Sequence, residues 1–332
     1  MRALVVHAVG QGPTLDEVPR PSPGPGEVVV AIAAAALNHR DVWIRKGLYA
    51  GLKFPIILGS DGVGIVDELG PGVDPSWRGA RVVLDPSLTW GDDPRAQGKD
   101  YKILGLPDDG TLAEYTKIAA TQLVRCPEHL SDEEAAAIPL AGLTAWRAVV
   151  TQGEVRAGSR VLVTGIGGGV ALFAMQIARA LGAEVHVTSG DPAKLERARA
   201  LGASAAANYK DEGWGKALKT AAGAGYDVVI DSAGGDGFGT LVDLARPGGR
   251  IVFFGATNGN PKSFDLRRVF WKQLRLQGTT MGTSAEFSAM VSFFGEKKLH
   301  PVVDRAFALE DGKAAFDRME HHGQFGKIVL TP

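Results

Sequence analysis

Hydrophobic and polar positions follow two regimes along this chain. In residues 1–120 the apolar positions form short runs, Ala3–His7, Val28–Ile32, Gly62–Leu69 and Arg81–Asp85, between turn-rich segments such as PRPSPGPGE and GPGVDPSWRG. Short runs punctuated by Pro and Gly predict the strands of a small barrel or sandwich. From Ser131 the pattern changes. Ser131-Asp132-Glu133-Glu134 sets a hydroxyl three residues ahead of a carboxylate, the pairing that closes a helix N-terminus, and an alanine-rich helix is expected as far as Pro139. Leu143–Val150 predicts the next helix. Apolar β-runs then alternate with helical segments: Val161–Thr164, a helix closing on Gly182, Val185–Thr188, Val228–Asp231, a helix near Phe238–Leu244, Ile251–Gly255 and Leu274–Thr280. Such alternation predicts a doubly wound parallel sheet. The tail reads as a helix at Phe287–Glu296, a β-like segment at Val302–Ala308, a helix at Leu309–His321 and a last strand at Lys327–Leu330. Its β-character matches the N-terminal part. The tail is therefore expected to complete the first domain, leaving the parallel-sheet domain as an insertion.

The most informative stretch is Arg160–Ala203. After the strand-like Val161–Thr164 come four glycines in five positions, Gly165, Gly167, Gly168 and Gly169, then a helical pattern and a second β-run. A single glycine would make a turn. Four between a strand and a helix suit a backbone that must let a pyrophosphate approach, with the N–H groups of the helix start facing its charge. The spacing Gly165-x-x-Gly168-x-x-Ala171 predicts a dinucleotide site.

Composition narrows the function by exclusion. The 332 residues are 45% hydrophobic and 22% charged, as in an ordinary globular protein with room for two cores. Lys and Arg number 36 against 37 Asp and Glu, a net charge of −1, so no basic field exists to hold nucleic acid or an anionic membrane. Cys126 is the single cysteine, which rules out an internal disulfide and a cysteine-cluster metal site. Val161–Ala178 is uncharged and near membrane-span length, but its glycine cluster and its change from β to helix mark a buried element. The start MRALVVHAVG lacks the apolar core of a signal peptide, so a cytoplasmic location is expected.

Several separated motifs carry a resemblance: LNHRDVWIRKGLY (37–49), LGSDGVGIVDELG (58–70), PLAGLTAW (139–146), the glycine loop, VVIDSAGG (228–235), GGRIVFFGAT (248–257) and FGKIVL (325–330). In this order, over nearly the whole chain, they resemble the medium-chain dehydrogenase/reductases. The resemblance implies an α/β protein. A GroES-like β-barrel catalytic domain, residues 1–140 and 283–332, would be split by an inserted Rossmann domain, residues 141–282, a doubly wound parallel sheet that binds NAD(P). The active site would lie in the cleft between the two domains. Members with a catalytic zinc hold it with Cys, a His-Glu pair and a third Cys or acid. Here Asn38, Ser60-Asp61 and Leu140 stand at those places, a poor donor set for zinc. Asp85–Gly105, where relatives carry a four-cysteine structural zinc lobe, has none and reads as a polar loop in which Asp92, Asp93 and Asp100 are solvated. No metal is therefore expected. Asn38-x-x-Asp41 followed by GSD is similar to the zinc-free quinone oxidoreductase branch. That implies an NADPH-dependent oxidoreductase passing hydride to a quinone or α,β-unsaturated carbonyl, whose conjugation supplies the electrophile. The alternatives are an alcohol or aldehyde dehydrogenase of the zinc-type family and a non-catalytic NADPH-binding protein.

The resemblance also assigns residues. Asn38 and Tyr49 would meet the substrate, with Asp41 either in the catalytic set or anchoring its loop. Trp43 stands where relatives often have a second tyrosine, so the proton donor is open. His39 would lie near the pyrophosphate, and Arg40 is open between phosphate contact and surface charge. Thr144, Val170 and the backbone at Gly255, Ala256 and Thr257 would border the nicotinamide end, and Ser232 the adenosine half. Ser189 occupies the place of the acidic residue with which NAD enzymes hold the ribose 2′-hydroxyl, and Lys194 and Tyr209 lie where a 2′-phosphate is held. Asp191-Pro192 reads instead as a helix cap followed by a first-turn proline. NADPH is expected over NADH. The remaining histidines share no spacing and read as structural. Relatives pair sheet edges of their Rossmann domains, so a homodimer or homotetramer is expected, through the FFGAT strand or Leu274–Thr280.

Overall fold

The computed structural model describes residues 1–332, in two compact units: Met1–Leu143 with Gly282–Pro332, and Thr144–Met281. The borders expected after residue 140 and before 283 lie instead at 143/144 and 281/282.

The N-terminal part of the first unit runs β1 (Arg2–Val6), β2 (Thr14–Glu17), β3 (Glu27–Ala36), α1 (His39–Arg45), β4 (Ile56–Ile57), β5 (Asp61–Leu69) and β6 (Arg81–Leu84). It continues with β7 (Ser87–Leu88), β8 (Lys102–Ile103), β9 (Tyr115–Ala119), β10 (Leu123–Arg125), α2 (Asp132–Ala137) and α3 (Pro139–Trp146). The long strand β3 organises this part. Val28, Val29 and Val30 are all buried, because β3 pairs antiparallel with both β5 and β9 and is covered on both faces, which explains its unbroken apolar run. The expected capping box at Ser131 is present, Ser131 Oγ accepting from Glu134 N and the Glu134 carboxylate from Ser131 N. α2 ends at Ala137, ahead of Pro139 as expected, and the helix expected over Leu143–Val150 is present. It starts earlier than expected, at Pro139, where a missing N–H costs nothing, and widens into a π-helical turn at Arg147–Gln152. The motif from residue 37 carries a helix, α1, that its short hydrophobic pattern did not announce.

The second unit is a parallel sheet with helices: β11 (Arg160–Val163), α4 (Gly169–Ala180), β12 (Glu184–Ser189), α5 (Pro192–Ala200), β13 (Ala205–Asn208) and α6 (Trp214–Ala222). Then come β14 (Tyr226–Asp231), α7 (Phe238–Leu244), β15 (Ala245–Phe253), α8 (Leu266–Trp271) and β16 (Arg275–Gly278). The strand order is β13-β12-β11-β14-β15-β16, with every pair parallel. This doubly wound order reverses direction between β11 and β14, and a crevice opens at the carboxyl ends of strands at such a point. Leu162, Tyr226, Phe238, Leu241 and Ile251 form its core. The expectation that the FFGAT strand is a sheet edge is corrected: β15 lies inside the sheet, and the edges are β16 and β13.

The chain then returns to the first unit through α9 (Ser284–Lys297), β17 (Val303–Ala308), α10 (Gly312–Glu320) and β18 (Lys327–Thr331). β18 pairs parallel with β17 and antiparallel with β3, completing the strand order β10-β6-β5-β3-β18-β17 with β9 on the other end of β3. The tail therefore does complete the N-terminal sheet. Phe316 of α10 packs in one core with Leu4, Ile44, Leu58 and Ile328. Within this unit the two ends of the interruption are adjacent, since a β-carbon on Gly282 would lie 2.7 Å from Leu143 Cδ1. No helix is long and apolar enough to cross a membrane.

Candidate functional site

In the second unit the strand-loop-helix from β11 to α4 is built by glycine. Gly165 (φ +65°) and Gly167 (φ +125°) adopt backbone conformations that a side chain resists. Gly168 caps α4 without a side chain, so the first amides of this helix keep their N–H groups for an external acceptor. Asp231 at the end of β14 ties the two loops of the switch point together. Its carboxylate accepts from Thr164 Oγ1 at 2.5 Å and from Gly234 N at 2.8 Å. Ser232 follows, its carbonyl accepting from Thr257 N at 3.2 Å, and Gly255 comes so close that a β-carbon there would sit 2.9 Å from the same oxygen. Ser232 Oγ is itself near Gly165. The expected residues Gly165, Gly168, Gly169, Val170, Ser232, Gly255, Ala256 and Thr257 thus lie on the loops and first helical turn at the carboxyl end of this sheet. Thr144 is buried, with Oγ1 3.7 Å from Met281 Sδ.

The end of β12 gathers a second group. Ser189 is buried; its Oγ accepts from Asp191 N at 3.2 Å and its carbonyl from Tyr209 N at 3.2 Å. A β-carbon on Gly190 would lie 2.7 Å from both Tyr209 OH and Lys210 Cε, and one on Gly167 would lie 2.8 Å from Lys194 Cδ. Two lysines and a phenol therefore flank the strand end that has no acidic residue. Asp191 is occupied as a cap, its carboxylate accepting from Ala193 N at 2.9 Å. Lys210 is a member that sequence reasoning missed, although it directly follows Tyr209 at the end of the neighbouring strand.

In the first unit, β3, α1, β5 and β18 converge on one buried polar cluster. Lys327, the first residue of β18, sends its ammonium to Leu37 O at 2.7 Å, Asn38 Oδ1 at 2.7 Å and Asp61 Oδ2 at 2.8 Å. Asn38 Nδ2 donates to Asp61 Oδ2 at 2.9 Å, and Leu140 N donates to Asp61 Oδ1 at 2.7 Å. Thr111 Oγ1 fixes the Asp61 carbonyl at 2.7 Å. Asp41 is fully buried and receives Asn38 N at 2.8 Å and Gly59 N at 3.4 Å. Burial pushes its carboxyl above the usual range, opposed chiefly by the neighbouring Arg40. Asp41 thus anchors the loops on either side of it through both carboxylate oxygens. Arg40 is not a surface charge. It is buried, and its Nη1 donates to Ser60 Oγ at 2.8 Å and Leu104 O at 2.9 Å, beneath the half-buried Tyr49 ring at 5.1 Å. His39 stacks on His322, with ring centroids 5.5 Å apart. Trp43 is exposed.

A zinc ion does not fit this set of groups. The Asp61 carboxylate already takes three donors, the Asn38 carbonyl oxygen faces an ammonium, and Ser60 Oγ donates to Leu104 O at 2.7 Å. No group of three or more His, Cys, Asp and Glu side chains converges anywhere in the chain. The polar loop after β6 is held by other means. Asp93 pairs with Arg95, and β7 pairs with β8. At its root Asp85 is buried; its Oδ1 accepts from Ser87 N at 2.9 Å and its Oδ2 has no partner. Burial raises its carboxyl to about 6 and pushes the nearby Tyr101 phenol upward. Cys126 is a buried thiol raised to about 11 by desolvation.

Two family models match the chain: the alcohol dehydrogenase GroES-like domain at residues 24–128 and the zinc-binding dehydrogenase at residues 169–296. A protein of Leptosphaeria maculans named zinc-type alcohol dehydrogenase-like protein YogA is 39% identical over 336 residues, covering 95% of this chain and 93% of its own. Acryloyl-coenzyme A reductase of Sulfurisphaera tokodaii is 31% identical over 346 residues, covering 100% of both chains. A crystal structure described as an NAD-dependent alcohol dehydrogenase is 41% identical, with a TM-score of 0.95 over 100% of both chains.

Proposed function

Because this chain belongs to the medium-chain dehydrogenase/reductase family and is an oxidoreductase, we propose that it is an NADPH-dependent, zinc-independent reductase of α,β-unsaturated carbonyl compounds or quinones. The observation that carries the reading is the ammonium of Lys327, lodged against Asn38 and Asp61 where metal-dependent relatives place their ligands. A zinc-type enzyme polarises an alcohol or carbonyl oxygen with its metal. A conjugated acceptor is electrophilic without one, and hydrogen bonding plus positioning suffice. The name of the acryloyl-coenzyme A reductase supports this class of acceptor.

Reduced nicotinamide, when bound, supplies the hydride. The chain's own residues bind and orient. The uncapped first turn of α4 receives the pyrophosphate, and Ser232 and Gly255–Thr257 border the nucleotide at the switch point. Lys194, Tyr209 and Lys210 take the 2′-phosphate at the end of β12, where Ser189 spares it the repulsion of a carboxylate. Asn38 donates to the acceptor carbonyl oxygen beside Tyr49. A second reading, an NAD-dependent alcohol dehydrogenase, is favoured by the description of the 41%-identical structure. One assay separates them: NADPH and NADH oxidation with enones, quinones and aldehydes, before and after exhaustive chelation. Chelator-resistant turnover of an enone or quinone with NADPH is expected. Turnover confined to alcohols and aldehydes, abolished by chelation and restored by zinc, would replace this reading with the second.

We also propose a homodimer, formed along the β16 edge. Beside this edge in the chain, α8 leaves Leu266, Phe270 and Trp271 exposed, Trp271 at 82%.

A further inference from the structure

The cluster around Lys327 determines which way the Asn38 amide points. An ammonium has only donors and a carboxylate only acceptors. Asn38 lies between one of each, so its Oδ1 must face Lys327 at 2.7 Å and its Nδ2 must face Asp61 at 2.9 Å. The reversed amide would set N–H against the ammonium and carbonyl against the carboxylate. Each partner is in turn held: Lys327 spends all three donors, Asp61 is fixed by Leu140 N and Thr111 Oγ1, and the Asn38 backbone N–H is bound by Asp41. Asp61 is fully buried and Lys327 is 3% exposed, whereas Asn38 is 7% exposed, the member of the triad nearest the surface. One Nδ2 hydrogen is committed to Asp61. The other therefore has a fixed direction, and polarisation of the amide by the ammonium on its oxygen strengthens it as a donor.

We propose that Lys327 and Asp61 are positioning residues that lock the Asn38 amide so that its second Nδ2 hydrogen serves as a preformed donor to the carbonyl oxygen of the acceptor. The ammonium supplies part of the polarising charge that a metal supplies elsewhere, acting through Asn38 and never touching the substrate. This rests on the reductase reading above. It assigns a role to a lysine 266 residues away from its carboxylate partner in the chain.

The test uses the whole enzyme and three variants: K327M, D61N/K327M and K327R. K327M alone strands a buried carboxylate and is expected to lower Tm, so the double variant, which removes both charges, is the informative one. In D61N/K327M, kcat for enone reduction is expected to fall about 10- to 100-fold with KM for NADPH unchanged, less than the roughly 100- to 1000-fold cost of removing an oxyanion donor outright, because Asn38 remains but is no longer aligned. K327R is expected to retain more activity than K327M. The second readout is independent of turnover. The chain has four asparagines, Asn38, Asn208, Asn258 and Asn260, so selective 15N-asparagine labelling resolves the Asn38 side-chain amide. Two well-separated, slowly exchanging hydrogens are expected in the wild type, and averaging or fast exchange in the double variant. A double variant with wild-type kcat and an unchanged amide signal overturns the proposal. If the amide signals change as expected but the wild type reduces no conjugated acceptor, the lock stands and the functional reading falls.

Discussion

At the scale of single residues, the proposed preference for NADPH is tested at Ser189. An aspartate there would place a carboxylate beside Lys194, Tyr209 and Lys210, and S189D is expected to raise KM for NADPH about 100-fold while improving kcat/KM with NADH. Steady-state kinetics with both cofactors checks this, and an unchanged ratio would show that the 2′-phosphate is held elsewhere. Asp85 makes a prediction about pH. Its carboxyl rises from 3.8 to about 6 on folding, so between these values the native state keeps a proton that the unfolded chain has released. The stability it contributes is complete below pH 4 and lost as pH rises through 6, a swing of roughly 3 kcal/mol. Thermal unfolding from pH 4.5 to 7.5 should therefore show wild-type Tm declining relative to D85N; parallel curves would exclude the effect. The site was unevenly legible. Asn38, Ser60 and Asp61 stand out because residue type alone says whether a thiolate or imidazole is present. Lys327 does not, because its partners come from β3, the head of α1 and β5, and no local pattern records a contact so distant in sequence. Of the two roles open for Asp41 in the sequence, only the anchoring one is visible as geometry, because both its oxygens hold backbone amides.

At the scale of elements, the glycine loop combines strain and recognition. A β-carbon at Gly167 would strain a backbone at φ +125° and press on Lys194. G167A is expected to cost about 1–3 kcal/mol of stability and to weaken NADPH binding at least 10-fold, read by thermal unfolding and by cofactor titration. Wild-type cofactor affinity would mean that the loop does not carry the pyrophosphate. Elements with strong periodicity or punctuation were readable in advance: the parallel strands β11, β12, β14, β15 and β16, the capped α2, and α7 at Phe238–Leu244, whereas β13, an alanine run without β-branched residues, was not. Those that depend on neighbours were not. β3 extends to Ala36 because three partner strands cover it, beyond the apolar run ending at Ile32. α3 begins at the proline taken as a stop, because the same ring that breaks a helix interior is preorganised for its first turn.

At the scale of the whole molecule, an unpaired sheet edge next in sequence to exposed Phe270 and Trp271 is a liability that a second copy would cover. Light scattering is expected to give twice 34.9 kDa for the wild type and a smaller mass for F270E/W271E with its far-UV dichroism retained. A wild-type mass of one chain would refute the dimer. The adjacency of Leu143 and Gly282 has a different consequence. A polypeptide interrupted by 138 residues, Thr144–Met281, leaves and re-enters its host at one doorway, so the interruption imposes almost no loop-closure penalty on the host. A shortened gene splicing those two positions through a few glycines should encode a barrel that folds unaided. Evolution could have exchanged the nucleotide-carrying cassette through that same seam without disturbing a strand on either side.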